Sequence, residues 1–520
     1  MVPEWFKKQP VYGNLRKAAA VLEEDLLRLE YGLLTQQGRK EELLTRSKTV
    51  PRSNGTRLYT ALPFRVGMVA DPFLFRNYAP TCDLVYLTPD NWLEQLGALD
   101  CVIVASVWHG LHGEWTGASL PASAIGKRLL ELMEQTRRRG VPVIFYSKED
   151  PANFRWFCRY AEQADRIYTS ARECIGDYQS LVPGAGVETL HFAISPRLHN
   201  PIGMQPLDRL GDTAFFAGSW TKKYPKRVEN QLDLFRWIRR AGLRLEIADR
   251  NYSRYRIQYR YPIRYLSSVV PDFPYEEIAA LYKLYGWVLN LNSATRSLDM
   301  FSLRVYDALA CGCLVLSNES PGMERIFPQA YVIDCYERLE EVLHTPRPDL
   351  EQRRLAGIRQ AFRTGTVYER MERILKSVGL DAACVRAPAV GVIPAPEGAE
   401  GLRAMFEAQT YPHKVWISSP HDREAIHRCG MVALWGKGRT YGPTYLEDMV
   451  GGFRYTACDY ITKPDPAQGW GHRYTDRIED PYGTLFWREA WEAQPEVSCG
   501  PRPNGYVSDG AGYTIDGKAI

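Results

Sequence analysis

The sequence predicts an α/β protein of two similar halves joined by a linker, preceded by a helical segment and followed by a smaller α/β module. Three observations carry this expectation. Short apolar, β-branched runs alternate with helix-like stretches in two series, a Pro- and turn-rich stretch separates the series, and the composition shifts after about residue 381. A chain of 520 residues also exceeds what one core ordinarily organises, so two or three domains are expected.

Taken in order, residues 12–46 read as helix, with Leu22, Leu26, Leu29 and Leu33 spaced by four and three as a short a/d seam. Packing of this seam on its own domain is the expected reading, with a coiled-coil homodimer as the alternative. RSKTVPRSNGT then reads as a loop. FRVGMVA, DLVYL, DCVIVAS, VPVIFYS and RIYTS form the first series, and TAFFAGS, LRLEIAD, GWVLNLNS, CLVLSNE and AYVID the second. Runs of this kind between helices mark parallel strands buried on both faces. HFAISPRLHNPIG is the linker between them. A helix from Leu350 to Val378 follows, placed to cross back and brace the first half. APAVGVIPAPEGAEG opens the last module. The expected boundaries are a helical segment at 1–60, α/β domains at 61–205 and 206–380, and the small module at 381–520.

Hydrophobic content of 45% and charged content of 24% are ordinary for a globular protein. A net charge of +4 is too small to argue for nucleic acid as a partner. Eleven scattered cysteines without a CxxC pair fit a reducing cytosol rather than a disulfide framework. The opening residues lack the apolar run of a signal peptide, and no window approaches a membrane span. A cytoplasmic protein is expected, with at most a peripheral contact at the inner face of the membrane.

The most informative stretch is NLNSATRSLDMFSLRVYDALACGCLVLSNES. A strand ends near Asn292, a polar loop follows, and a helix starts near Met300 with Asp299 or Ser302 as its cap and stops at Gly312. A helix N-terminus at a strand's carboxyl end offers free N–H groups to a diphosphate. Ser293, Asp299, Met300, Phe301 and Ser302 are therefore candidate donor contacts. Asp307 is placed to accept ribose hydroxyls, with Arg304 on the same helix face; an ordinary βαβ unit with a solvated Asp307 is the alternative.

In FFAGSWTKKYPKR, the small residues Gly218 and Ser219 let backbone approach phosphate, and Lys222, Lys223, Lys226 and Arg227 can neutralise it. A solvated lysine-rich loop is the competing reading. In the first half, Lys148, Glu149 and Asp150 of YSKEDPANF stand at one strand end, and His109, His112 and Glu114 of VWHGLHGEW at another. Such groups bind acceptor hydroxyls or act as a base, although Asp150 before a proline is also a common helix start. The Gly-rich WHGLHGEW is not a helical metal motif, and no metal is expected. Nine arginines from Arg236 to Arg264 read as a solvated face, or as a patch facing acceptor or membrane.

The run from Ser293 to Gly312 resembles the core of retaining GT-B glycosyltransferases of family 4, in which two acids lie eight positions apart. Here they are Asp299 and Asp307, both Asp where the family carries Glu, followed by DALACG. LDCVIVASVWHGLHGEW, VPVIFYSKEDPANFRWF, ADRIYTSARECIGDY and TAFFAGSWTKKYPKR extend the resemblance to the spore-maturation-protein type of bacterial glycosyltransferase over roughly residues 60–335. The resemblance implies two Rossmann-like domains facing a cleft and no metal cofactor. It also implies retaining transfer from a nucleotide-diphosphate sugar, UDP-linked or similar, to a cell-surface glycan, polymer or protein. Glu149, Asp150, His109, Lys226 and Arg227 are then the catalytic candidates, with Lys226 and Arg227 as the basic pair on the leaving diphosphate. SVVPDFPYEEIAALY would hold the base. The alternatives are an inactive sugar-nucleotide-binding or assembly protein of a surface layer, and a related GT-B enzyme such as a nucleotide-sugar epimerase. GLRAMFEAQTYPHKVWISS and YGPTYLEDMVGGFRYTACDYITK resemble parts of family 2 GT-A transferases. The last module is thus expected to be truncated, serving dimer contacts or acceptor docking, with Glu447 and Asp448 as minor candidates for chemistry.

Overall fold

The computed structural model describes residues 10–396, 399–464, 470–515 and 518–519. The first nine residues of the expected helical segment, and positions 397–398 of the Ala/Pro/Gly-rich junction, lie outside the described residues.

The N-terminal segment is two helices, α1 (Pro10–Leu34) and α2 (Gln37–Thr49), broken at Thr35 and Gln36 where a single helix was expected. Gln36 N–H leaves the helical ladder for the carbonyl of Val269, at 2.8 Å.

The first lobe is a six-stranded parallel sheet of β1 (Leu62–Val69), β2 (Cys82–Tyr86), β3 (Cys101–Ala105), β4 (Val143–Ser147), β5 (Arg166–Thr169) and β6 (Gly186–Thr189), in the order β2-β1-β3-β4-β5-β6. Every residue of β3 and β4 is buried, as their continuous apolar runs require of central strands. The second lobe repeats the design with β7 (Thr213–Gly218), β8 (Arg244–Asp249), β9 (Val269–Val270), β10 (Trp287–Asn290), β11 (Leu314–Ser317) and β12 (Tyr331–Val332), ordered β12-β11-β10-β7-β8-β9. Both lobes are Rossmann-like. The edge strands β6 and β9 were not foreseen, because GVET and the two-residue VV are too short to register as apolar runs.

Between β7 and β8 runs α3 (Pro225–Arg240), and α4 (Tyr275–Tyr282) precedes β10. After β10, α5 (Leu303–Ala310) is capped by Ser302, whose Oγ accepts from Arg304 N–H. It ends at Gly312, whose φ of 78° is open to glycine at little cost. The expected brace is two helices, α6 (Arg347–Arg363) and α7 (Val367–Lys376), split at Gly365 with φ 100°. Val367, Met371 and Ile374 of α7 are buried with Val66, Met68 and Ile103 of the first lobe, so the chain does return across the cleft.

The C-terminal module is a mixed seven-stranded sheet, with a three-stranded sheet beside it. Its core is continuous with that of the second lobe: Val390, Trp435 and Tyr506 share one buried cluster with Phe215, Val305 and Leu309. In α8 (Tyr445–Gly452), Glu447 and Asp448 are bound edge-on by Arg363 and Arg359 of α6, the latter pair at 2.7 Å for both contacts. These two acids dock the module on the second lobe and are not set in an open site. All eleven cysteines are free thiols.

Candidate functional site in the interlobe cleft

In each parallel sheet the strand order reverses at one point, and ligands bind outside the carboxyl ends there. The reversal lies between β1 and β3 in the first lobe and between β7 and β10 in the second. Contacts between the lobes show that these ends face each other. Lys223, just before α3, donates to Asn153 Oδ1 of the first lobe at 2.8 Å, and its ammonium lies 5.2 Å from the centre of the Trp108 ring. Tyr275 of α4 donates to Asn77 Oδ1 at 3.0 Å.

The first-lobe wall is organised by Asp71, two residues after β1. Its carboxylate accepts from the backbone N–H groups of Trp108, His109 and Gly110 at 3.0–3.2 Å, and lies 3.1 Å from Lys148 Nζ. Burial works against its charge, but Lys148 and the His109 and Trp108 amides outweigh it and hold the carboxyl below its usual range. Lys148 is itself 1% exposed. Burial opposes its charge too, yet Glu149 and Asp71 keep it cationic. Glu149 accepts from Lys148 Nζ at 2.8 Å and from Asn153 Nδ2 at 2.9 Å, so one chain of polar contacts links Asp71 to Lys223. His109 rests with Nδ1 3.1 Å from Thr116 Oγ1; burial first, then the charge of Arg254, lowers its pKa and keeps the ring neutral at pH 7. Glu114 caps its own loop, accepting from Leu111 and His112 N–H at 3.0 and 2.8 Å, while His112 is exposed.

The second-lobe wall is cationic. Arg304, in the first turn of α5, donates from Nε to the Ala217 carbonyl at 2.9 Å and from Nη1 to Asn290 Oδ1 at 3.0 Å. That anchors it beside Gly218, where an added Cβ would come within 3.1 Å of Nη2. Arg227, buried in α3, donates to the Ser219 carbonyl and to Gln231 at 3.1 and 3.3 Å. Burial, reinforced by Arg304 and Arg250, lowers its pKa to about 10. Arg250 follows β8 directly. It is exposed to solvent, although neighbouring side chains crowd its head group. That crowding first, and the charge of Arg304 second, hold its guanidinium below its usual range. Among the described residues, no carboxylate lies within ion-pair distance of Arg227, Arg250 or Arg304. Three guanidiniums near one strand-end turn, repelling one another and unpaired, form a site that an anion would stabilise.

The loop from Ser293 to Ser302 is held from beneath by an amide network. Asn292 N–H donates to Asn318 Oδ1 at 2.7 Å, and Asn292 Oδ1 accepts from Ser302 N–H at 3.0 Å. Ser293 is exposed on this loop and Met300 half-buried, while Phe301 is buried and stacked on Tyr306.

Several expected site residues stand elsewhere. Asp150 is fully buried within the first lobe, accepting from Thr169 and Tyr178 hydroxyls at 2.7 and 3.0 Å; burial pushes its pKa up to about 6. It holds β4 to its neighbours and does not face the cleft. Lys226 is 68% exposed beside Glu229, and Lys222 is exposed as well. Both face solvent rather than the cleft. Asp299 does not cap α5. Its carboxylate is taken by Arg172 of the first lobe at 2.6 and 2.7 Å, by His191 at 3.1 Å and by Arg325 at 2.9 Å. Burial opposes the charge, but Arg172 leads the groups that draw its pKa down to about 2. Asp307 is neither solvated nor open to a ribose: it is buried 3.4 Å from His199, and burial raises its pKa well above the carboxylate range.

Sequence reasoning missed Asp71 and Arg250. Both directly follow an apolar run that was read as a strand, and the carboxyl-end rule marks both positions. The arginine-rich stretch does not form one face: Arg239 stacks on Tyr265, Arg240 on Tyr336, and Arg260 pairs with Glu30 of α1.

A family model described as glycosyl transferase-like matches residues 222–376. A search of curated proteins found no match. Among solved structures, an alpha-glucosyltransferase (AGT) in complex with UDP is similar at 10% identity and TM-score 0.39, covering 60% of this chain and 100% of that one. The N-terminal domain of Candida albicans trehalose-6-phosphate phosphatase aligns at 10% identity and TM-score 0.38, over 64% of this chain and all of that one. The pneumococcal O-GlcNAc transferase GtfA aligns at 11% identity and TM-score 0.34, over 56% of this chain and 58% of that one. By the domain that its second lobe carries, the chain is an enzyme of the glycosyltransferase class.

Proposed function

We propose that the cleft binds a nucleotide-diphosphate sugar, UDP-linked or similar, and transfers the sugar without a metal and with retention to a cell-surface glycan, polymer or protein. The observation that carries this reading is the convergence of Arg227, Arg250 and Arg304, none paired with a carboxylate, around the Gly218–Ser219 turn. The leaving diphosphate gains negative charge as the glycosidic bond breaks. Fixed cations at that point lower the barrier without reorganising, the role a metal otherwise fills. The half-exposed loop from Ser293 to Ser302 would cover the donor from above.

On the opposite wall, Glu149 is held by Lys148 and Asn153 and can orient an acceptor hydroxyl. His109, with Nδ1 3.1 Å from Thr116 Oγ1, can accept a proton at Nε2 in the tautomer that places the ring hydrogen on Nδ1. Positioning and charge stabilisation then carry most of the rate. We place the protein in the cytoplasm, with a peripheral membrane contact at most; among the described residues no helix is long and apolar enough to cross a membrane.

One observation favours a second reading, a sugar-nucleotide-binding protein without turnover: Asp299 and Asp307, the acids of the family pattern, are both closed off. Incubation with a panel of nucleotide sugars separates the two. Release of nucleoside diphosphate in EDTA supports transfer, whereas saturable binding with no release over hours supports the second reading.

A further inference from the structure

Helix α1 meets the second lobe along one narrow face only. Leu27 and Tyr31 are buried there, Glu30 pairs with Arg260, and Glu23 accepts from Ile257 N–H. At about 100° per residue, the leucine seam lies about a third of a turn away from this docked face. Leu15, Leu22, Leu26, Leu29 and Leu33 are 55%, 63%, 67%, 60% and 73% exposed. With Ala19 they fill successive a and d positions over nearly three heptads. The expectation that this seam packs on its own domain is therefore not met. A continuous apolar stripe of this length is unusual on a lone soluble chain.

The N-terminal half of the helix is more exposed still: residues 14–23 are exposed on every side.

We propose that this exposed seam is covered by the α1 helix of a second copy, packed antiparallel so that the docked half of each helix lies against the exposed half of the other. The charges select this direction. Arg16 and Lys17 lie in the first half of the helix, and Glu23, Glu24, Asp25 and Glu30 in the second. Antiparallel pairing sets Leu15 against Leu26 of the second copy and Leu22 against Ala19, bringing Arg16 close to Glu23 across the seam. It also opposes the helix dipoles favourably. Parallel pairing would instead face Asp25 towards Glu30, like charge to like. Because the docked face is turned away from the seam, each second lobe stays clear of the contact, and the arrangement is a closed two-fold.

Light scattering after size exclusion at tens of micromolar should give twice the 59.4 kDa of one chain. Leu22→Glu with Leu26→Glu, both at exposed positions, should return the mass to one chain with an unchanged melting temperature. Direction is tested by oxidation in a Cys499→Ser background, Cys499 being the exposed native thiol. Leu15→Cys mixed with Leu26→Cys should cross-link, while Leu26→Cys alone should not. A monomeric wild type, a dimer indifferent to the double substitution, or self-cross-linking of Leu26→Cys alone would overturn the proposal.

Discussion

Replacing Arg250 by glutamine separates a binding role from a structural one. No described side chain donates to or accepts from the Arg250 guanidinium, and among the charges acting on it the like charge of Arg304 weighs most, opposed by Glu149 and Asp71. A structural arginine holds partners, and its loss costs stability. Arg250 holds none, and solvent screens the repulsion it feels from Arg304. Arg250→Gln should therefore leave the melting temperature unchanged. Against a donor the effect reverses. A hydrogen bond to a charged group contributes about 1.5–3 kcal/mol, so its loss should weaken nucleoside-diphosphate binding about 10- to 150-fold. Calorimetric titration at fixed ionic strength reads the affinity, and thermal unfolding without ligand reads the stability. A variant that melts several degrees lower yet binds the diphosphate as tightly as wild type would refute the reasoning, because Arg250 would then be structural.

Other outcomes follow from the same geometry. Arg304→Lys loses the two-point anchorage to Ala217 and Asn290, and kcat should fall about 100- to 1000-fold with little change in acceptor KM, as for a lost transition-state donor. Asp299 has a folded pKa of about 2, below its unfolded value, so it contributes stability that is present above pH ~4 and lost as pH falls towards 2. With its arginine partners half exposed, Asp299→Asn should cost on the order of 1–2 kcal/mol at pH 7, and the gap to wild type should close below pH 4 in denaturant titrations. Asp150 is the opposite case. Its folded pKa is raised to about 6, so its charge destabilises the fold increasingly as pH rises from 4 through 6. Asp150→Asn should match or exceed wild-type stability at pH 8 and keep full transfer activity, whereas lost activity in a stable variant would mean that it is catalytic after all. Lys148→Met leaves Asp71 and Glu149 without their buried cation and should destabilise by about 3–5 kcal/mol in urea titrations.

Much of the fold was legible because parallel strands buried on both faces write themselves as uninterrupted apolar runs. Runs such as VIVA and VIFY carry that signal, and the glycine at 312 marks a helix end. GVET and VV carry no such signal, and they became the edge strands. The single helix expected at 12–46 breaks because Gln36 prefers a tertiary partner, the Val269 carbonyl, to its own ladder.

The candidate site was legible by region rather than by residue. The Gly218–Ser219 turn, Arg304 and Arg227 stand together, as do His109, Lys148 and Glu149. Spacing along a chain does not say which lysine of KKYPK turns inward, and here Lys223 reaches Asn153 while Lys226 faces water. Nor does it reveal that an acid on one lobe is claimed by an arginine on the other. Asp299 and Arg172 are 127 positions apart, and only the closed arrangement of the lobes brings them together.

The central claim, a metal-free diphosphate site formed by three unpaired arginines, meets its most direct test in calorimetric titration of UDP, GDP, ADP, CDP and TDP in excess EDTA. The account predicts saturable binding of at least one of them to wild type, undiminished by the chelator and weakened at least tenfold in Arg250→Gln. Binding that appears only with added divalent metal, or that the substitution leaves untouched, would contradict it.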